Sequence, residues 1–126
     1  MRAVDTNVLI RLITRDDEER AMAAAAFVEK GVWVSHLVLA ETAWVLNDAY
    51  EFEHAEIATA IDMLLNNGNV AVQDLDVVVN ALEHYRRKPK IGFSDCLILE
   101  IARKAGHLPL GTFDNNLSKL DGAERL

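Results

Sequence analysis

Four carboxylates occupy positions along this chain from which metal chemistry is possible. Asp5 follows the first short apolar run, Glu41 lies inside a long apolar segment, Asp95 opens a late helical stretch, and Asp114 follows the last clear apolar run. Oxygen ligands of this kind suit Mg²⁺ or Mn²⁺, and a small set of carboxylates leaves coordination positions open for water and a phosphate. Brought together, the four negative charges would repel one another and need a counter-charge. The acidic set therefore predicts a hydrated metal site.

Each aspartate also has a simpler interpretation as a helix cap. Asp5, Asp95 and Asp114 all stand at or near predicted helix starts, where a carboxylate accepts hydrogen bonds from free N–H groups and is stabilised by the helix dipole by ~1 kcal/mol. Taken singly, each aspartate is explained by capping alone. Only the four together favour the metal site.

Of the four carboxylates, Glu41 is the hardest to explain without a bound metal. Its helical neighbours at i−4, i+3 and i+4 are Leu37, Trp44 and Val45, and a glutamate on a buried apolar stripe is costly unless it is paired or binds a cation. The alternative is a half-exposed position beside Asp48. The pattern therefore favours a ligand role for Glu41.

The elements that must position these carboxylates alternate regularly along the chain. Short apolar runs separate longer helical stretches, which is typical of βαβ units and a mostly parallel sheet. In such a sheet the carboxyl ends of the strands share one edge, so we expect Asp5 and Asp114 on the same side of the molecule. The predicted strands are 2–4, 32–34, 70–72 and 108–113.

Helices are predicted chiefly from their end signals. Asp16 or Asp17 opens the first long stretch, and Ser35 opens the segment 36–50. Gly106 ends the last one. The remaining predicted helices are 54–67, a stretch from Asp74 that ends before Pro89, and 94–105.

Composition limits the possible classes of protein. A chain of 126 residues with 51% hydrophobic and 26% charged residues predicts a single domain over residues 1–126. No apolar segment is long enough for a membrane span, and Asp5 and Arg11 interrupt any signal peptide, so we expect a cytoplasmic protein. The single cysteine, Cys96, excludes an internal disulfide and is expected in the core.

The net charge of −7 argues against holding nucleic acid by bulk positive charge. Two bound divalent cations would bring the net charge of −7 to about −3, which weakens this objection. Basic residues are grouped near two of the aspartates. They have two interpretations: contact with phosphates, or ordinary stabilisation of a helix C-terminus. The candidate nucleic-acid-binding residues are Arg11, Arg15, Arg86, Arg87, Lys88 and Lys90.

The sequence does not match other known catalytic and binding motifs. The segment from Asp114 resembles a calcium-binding loop for three ligands, but Lys119 stands where that loop requires glycine and Arg125 where it requires glutamate. Aspartyl phosphate chemistry would give Asp5 a nucleophilic role, but the sequence "DTN" lacks the second acidic residue of the phosphatase signature. A binding module in which the carboxylates only cap helices stays open as a non-enzymatic alternative.

Four segments together resemble a known family. They are "VDTNVLIRLI", "SHLVLAETAWVL", "FSDCLILEIARKAG" and "LGTFDNNL", in that order over nearly the whole chain. No single one is specific, but in this order and at this chain length they resemble the PIN domain, and most closely the VapC-type ribonuclease toxins of VapBC toxin–antitoxin pairs. The resemblance implies a three-layer α/β/α fold with a central, mostly parallel sheet flanked by helices.

The resemblance also implies the site and its reaction. It places metal ligands at Asp5, Glu41, Asp95 and Asp114, binding Mg²⁺ or Mn²⁺, and the expected reaction is hydrolysis of an RNA phosphodiester bond. Implied partners are a tRNA or other structured RNA, a cognate antitoxin and a second copy of the chain. A housekeeping RNA-processing nuclease is the alternative within the family. Supporting polar groups are implied at Asn7 and Thr112.

Overall fold

The computed structural model describes all residues, 1–126, and divides the chain into two compact units. The N-terminal unit spans Met1–Leu75 and the C-terminal unit spans Asp76–Leu126. Strands in both units are only two or three residues long. The helices therefore make up most of the regular structure.

A parallel three-stranded sheet with four helices forms the N-terminal unit. The strand order is β1-β2-β3, and β2 pairs in parallel with both neighbours. The central strand is fully buried at Val32 and Val34, and Leu9, Leu39 and Leu46 join it in the core. The elements are β1 (Arg2–Ala3), α1 (Thr6–Thr14), α2 (Glu18–Glu29), β2 (Val32–Val34), α3 (His36–Asp48), α4 (His54–Leu65) and β3 (Val70–Val72).

Helices in this unit begin where short polar side chains accept a backbone hydrogen bond. Asp5, Asp17 and Ser35 cap α1, α2 and α3, each accepting from an N–H three residues further on. Such caps satisfy one of the four free N–H groups at a helix start. The position of Asp5 is therefore fixed by the start of α1.

The C-terminal unit combines two helices with a second parallel sheet. Tyr85 and Phe93 pack edge to face with ring centroids 5.7 Å apart. Gly106 ends the second helix at φ 82°, a left-handed conformation that glycine adopts without steric cost. The elements are α5 (Leu75–Arg87), α6 (Phe93–Ala105), β4 (Leu110–Thr112), a 3₁₀ helix (Leu117–Lys119) and β5 (Ala123–Arg125).

The α/β class and the parallel pairing of strands confirm the sequence prediction, with strand ends shifted by one or two residues. The strands form two sheets, because β4 pairs with β5. Asp5 and Asp114 therefore follow strands of different sheets, and the argument from a shared sheet edge does not extend to Asp114. No helix has both the length and the apolar character that crossing a membrane requires.

Candidate active site

Asp5 stands between β1 and α1, with its backbone extended. Its Oδ1 accepts a hydrogen bond from the Val8 N–H at 3.2 Å, and Oδ2 accepts none from the protein. Asp5 and Asn7 line a cavity of about 410 Å³ in the N-terminal unit, which Arg11, Arg20 and Phe27 also line. The helix cap thus fixes the carboxylate and leaves one oxygen free to bind a ligand.

Glu41 lies on the exposed side of α3 and is held by a side chain from α1. The Thr6 hydroxyl, itself buried, donates a short hydrogen bond to Glu41 Oε1. Leu37 and Trp44 are 77% and 64% exposed, so the apolar stripe beside Glu41 faces solvent. The argument that Glu41 is costly to bury is therefore wrong. Its fixed position comes from Thr6.

Asp95 and Asp114 interact electrostatically within the C-terminal unit. Asp95 lies in the first turn of α6, and Asp114 follows β4 with one residue, Phe113, between them. Partial burial raises the pKa of Asp95, and the negative charge of Asp114 raises it further. Because like charges disfavour ionisation, a cation between two such carboxylates would relieve the repulsion. These two residues form the clearest candidate ligand pair within one unit.

The loop that carries Asp114 is held by its own side chains. Thr112 Oγ1 accepts a hydrogen bond from the Asp114 N–H at 3.0 Å. Asp114 Oδ1 in turn accepts from the Leu117 N–H at 2.8 Å, and Leu117 is buried. The hydroxyl of Thr112 therefore orients the backbone of the candidate ligand.

Arg11 is engaged in a structural ion pair. Its Nη1 lies 2.9 Å and 3.0 Å from the two carboxylate oxygens of Asp16. The hydroxyls of Thr14 and Tyr50 donate to the same carboxylate, and these contacts, with that of Arg11 the largest, lower the pKa of Asp16 to about 2. This arrangement favours a role for Arg11 in joining α1 to the start of α2 and the end of α3.

The other candidate RNA-binding residues differ in how far they are already paired. Arg15 caps the end of α1 and lines a different, mainly apolar cavity from the one beside Asp5. Arg87 pairs with Glu83 along α5 at 2.7 Å, while Arg86 is exposed at the end of α5. Lys88 and Lys90 follow α5, are exposed, and line one cavity. The two lysines are therefore the most available of the set.

Two side chains in these regions escaped sequence reasoning. Thr6 holds Glu41, a contact between residues 35 positions apart that no local pattern reveals. Phe113 is 80% exposed and directly precedes Asp114. Aromatic rings exposed beside a polar site are typical stacking surfaces for unpaired bases. The signal available in the sequence was only the position of Phe113 next to a candidate ligand.

The donor chemistry of the acidic residues fits a hard divalent cation. Within neither unit do three or more His, Cys, Asp or Glu side chains group in a way that could hold a metal ion. Burial raises the pKa of Asp95, and the negative charge of Asp114 adds to the effect; a nearby cation would stabilise the ionised carboxylate against both. Carboxylate oxygens are also the ligands that Mg²⁺ and Mn²⁺ prefer. The Asp95 and Asp114 pair therefore fits a shared metal ligand role.

Parallel strands alternate with helices, and the carboxylates Asp5 and Asp114 are each separated by one residue from the end of a strand. These features define an α/β protein with an acidic site. The PIN domain family model matches residues 2–123. The chain therefore belongs to the PIN domain family.

One solved structure with similarity to the chain is VapC20 of Mycobacterium tuberculosis, described as a sarcin-ricin loop cleaving toxin. It shares 23% identity with a TM-score of 0.44 and 98% coverage of each chain. No curated protein matches the sequence.

Proposed function

We propose that this PIN-domain chain is a metal-dependent endoribonuclease that hydrolyses RNA phosphodiester bonds. The observation that carries the proposal is the Asp95 and Asp114 pair, in which burial and a neighbouring charge raise the pKa of Asp95. Carboxylates in mutual repulsion are ready to bind a divalent cation. Membership of the PIN family and the order of the four motifs support RNA as the substrate.

Asp5, Glu41, Asp95 and Asp114 are the ligands we propose for Mg²⁺ or Mn²⁺. When bound, the metal supplies a water of lowered pKa and neutralises charge on the phosphoryl oxygens. The helix cap at Asp5 and the Thr6 hydrogen bond to Glu41 hold two of these carboxylates in fixed orientations. Such preorganisation reduces the entropy lost when the substrate is positioned.

The remaining polar groups position these ligands and the substrate. Thr112 orients the backbone at Asp114. Asn7 lies in the cavity that Asp5 lines, and its carboxamide can hold a water or a phosphate oxygen without adding charge. Phe113 is exposed enough to stack on an unpaired base.

The experiment that tests the activity uses purified full-length chain with end-labelled tRNAs and structured RNAs. We expect discrete cleavage products with Mg²⁺ or Mn²⁺ and none with EDTA, because the carboxylates alone provide neither the activated water nor charge neutralisation. Mapping the cut ends identifies the target. Cleavage that persists in EDTA would contradict the metal mechanism, and RNA binding with no cleavage under any metal would favour a binding module.

We further propose that the chain is the toxin of a type II toxin–antitoxin pair. The order of the four motifs, which resembles VapC-type toxins, supports this assignment. A largely apolar cavity of about 630 Å³ between α1 and α4 offers a surface for an antitoxin, and Met63 on its wall is 68% exposed. Growth arrest on induced expression, relieved by co-expression of the antitoxin, distinguishes a toxin from a housekeeping nuclease.

A homodimer through the exposed face of α3 is also proposed. Leu37 and Trp44 lie on this face and are largely exposed, and large aromatic residues often dominate binding at interfaces. Trp44→Glu should convert a dimer to a 14.0 kDa monomer, as measured by size-exclusion chromatography with light scattering. Met22→Glu alters a similarly exposed apolar residue on α2 and should leave the dimer intact. A monomeric wild-type chain would contradict this proposal.

A further inference from the structure

A small cavity in the C-terminal unit is lined by three lysines. Its volume is about 270 Å³. We infer that it binds a phosphate group of the RNA chain, at a position beside the bond to be cleaved, with Lys119 as a binding residue. This inference rests on the proposed function. The lining residues are Lys88, Pro89, Lys90, Ile91, Asn116 and Lys119.

The charges around this cavity are uncompensated. Lys88, Lys90 and Lys119 are exposed and form no ion pair, and no carboxylate lines the cavity. By contrast, Lys104 in the same unit lies 2.8 Å from Asp76. In a chain of net charge −7, three lysines around one cavity without a carboxylate in its lining create a locally positive potential that favours an anion there.

The walls of the cavity are two closed turns. The Ile91 N–H donates to the Lys88 carbonyl at 3.0 Å, and the Lys119 N–H donates to the Asn116 carbonyl at 3.2 Å. Ile91 and Leu117 are buried beneath them. The lysine side chains therefore start from fixed backbone positions, which reduces the entropy lost when they close on a ligand.

The same loop connects this cavity to a candidate metal ligand. Asp114 Oδ1 accepts from the Leu117 N–H, and the Asp114 carbonyl accepts from the Ser118 N–H at 3.0 Å. Lys119 follows Asp114 by five residues in the sequence. The cavity and Asp114 therefore share one hydrogen-bonded loop, and an RNA strand with a phosphate on a metal ion at Asp114 carries further phosphates for the lysines.

RNA fits the cavity better than an acidic protein segment. Asn116 is the one neutral hydrogen-bonding side chain in the lining, and its carboxamide can both donate to and accept from a ribose 2′-hydroxyl. Phe113, exposed in the same loop, offers a face for base stacking. A carboxylate-rich peptide could accept from the lysines and from Asn116, but it has no base to stack on Phe113 and no ribose hydroxyl.

Fluorescence anisotropy of the 126-residue chain with a labelled single-stranded RNA tests the inference. The titrations are made in EDTA at several salt concentrations, so that binding is measured without cleavage. Lys119→Gln should weaken binding about three- to tenfold and reduce the slope of log affinity against log salt by about 0.7, the value for one phosphate contact on a single strand. In cleavage assays with metal, the same variant should raise KM and leave kcat unchanged.

Lys30→Gln is the matched control, because Lys30 is an exposed lysine at the end of α2. Equal binding and equal salt slopes for the two variants would overturn the inference, even if the wild-type chain cleaves RNA. The wild-type chain could instead cleave no RNA while Lys119→Gln still reduces the salt dependence of RNA binding. That result would support the inference and contradict only the nuclease proposal. If Lys119→Gln weakens binding of a polyglutamate peptide but leaves RNA binding unchanged, the ligand of the cavity is an acidic protein segment. That result would overturn the RNA assignment.

Discussion

Asp5→Asn is expected to reduce metal-dependent RNA cleavage by about 10³-fold, which corresponds to about 4 kcal/mol of transition-state stabilisation. The substitution removes one negative charge and one strong metal ligand but keeps the size of the side chain. Asparagine caps helices as well as aspartate does, so the hydrogen bond from the Val8 N–H to Oδ1 is retained. The fold should therefore survive, and the loss should fall on kcat and on metal affinity.

The matched control is Asp17→Asn. Asp17 caps α2 as Asp5 caps α1, with its Oδ1 3.1 Å from the Arg20 N, and its replacement changes the net charge by the same amount. Rates should be measured across an Mn²⁺ titration, together with Mn²⁺ binding by calorimetry and circular dichroism. Equal losses in the two variants would assign the effect to capping or net charge. Wild-type cleavage by Asp5→Asn would remove Asp5 from the site.

Capping residues made three of the six helix starts predictable, those of α1, α2 and α3. Ser35 and Asp17 each accept a backbone hydrogen bond at the expected helix start, and Gly106 ends α6 as predicted. These signals are local and carry a direct physical cause. The strand β5 (Ala123–Arg125) was missed, because its residues, AER, include two charges and form no apolar run, unlike the equally short β2 and β3.

The sequence predicts which residues could form the candidate site, but it does not predict the contacts that hold them. The four carboxylates stand out in the sequence, yet the side chains that hold them do not. Thr6 was not considered, because its partner Glu41 is distant in the sequence. The apolar neighbours of Glu41 were taken as buried, although Leu37 and Trp44 are exposed. A sequence shows which residues share a helical face, but it does not show whether that face is covered.

Glu100 is the buried charge that sequence reasoning overlooked. It lies within the apolar segment of α6 and is only 4% exposed. Arg103 Nε lies 3.2 Å from both of its carboxylate oxygens, and His84 Nε2 lies 3.0 Å from Oε2. Arg103 also donates to the Asp121 carbonyl at 2.6 Å. Glu100 thus joins α5 to α6 through one carboxylate, and Arg103 extends the network to the backbone at Asp121.

Glu100→Ala is expected to lower the free energy of unfolding by about 2–3 kcal/mol. The substitution leaves Arg103 and His84 without their shared acceptor and opens a space among buried side chains. Because these partners are 34% and 30% exposed, water can rehydrate them, so we expect less than the ~3–5 kcal/mol typical of breaking a fully buried pair. Urea denaturation should show a lower midpoint with an unchanged slope.

Glu83→Ala provides the control, because Glu83 also pairs with an arginine on its own helix, at 2.7 Å, but is 54% exposed. Exposed pairs of this spacing contribute about 0.3–0.5 kcal/mol, so its unfolding midpoint should scarcely move. Equal effects from the two variants would mean that the network at Glu100 adds nothing beyond a surface ion pair. A large difference would show that burial turns the Glu100 carboxylate into the main polar link of the C-terminal unit. In that case the backbone at Asp121, to which Arg103 also donates, is held by a network centred outside the candidate site.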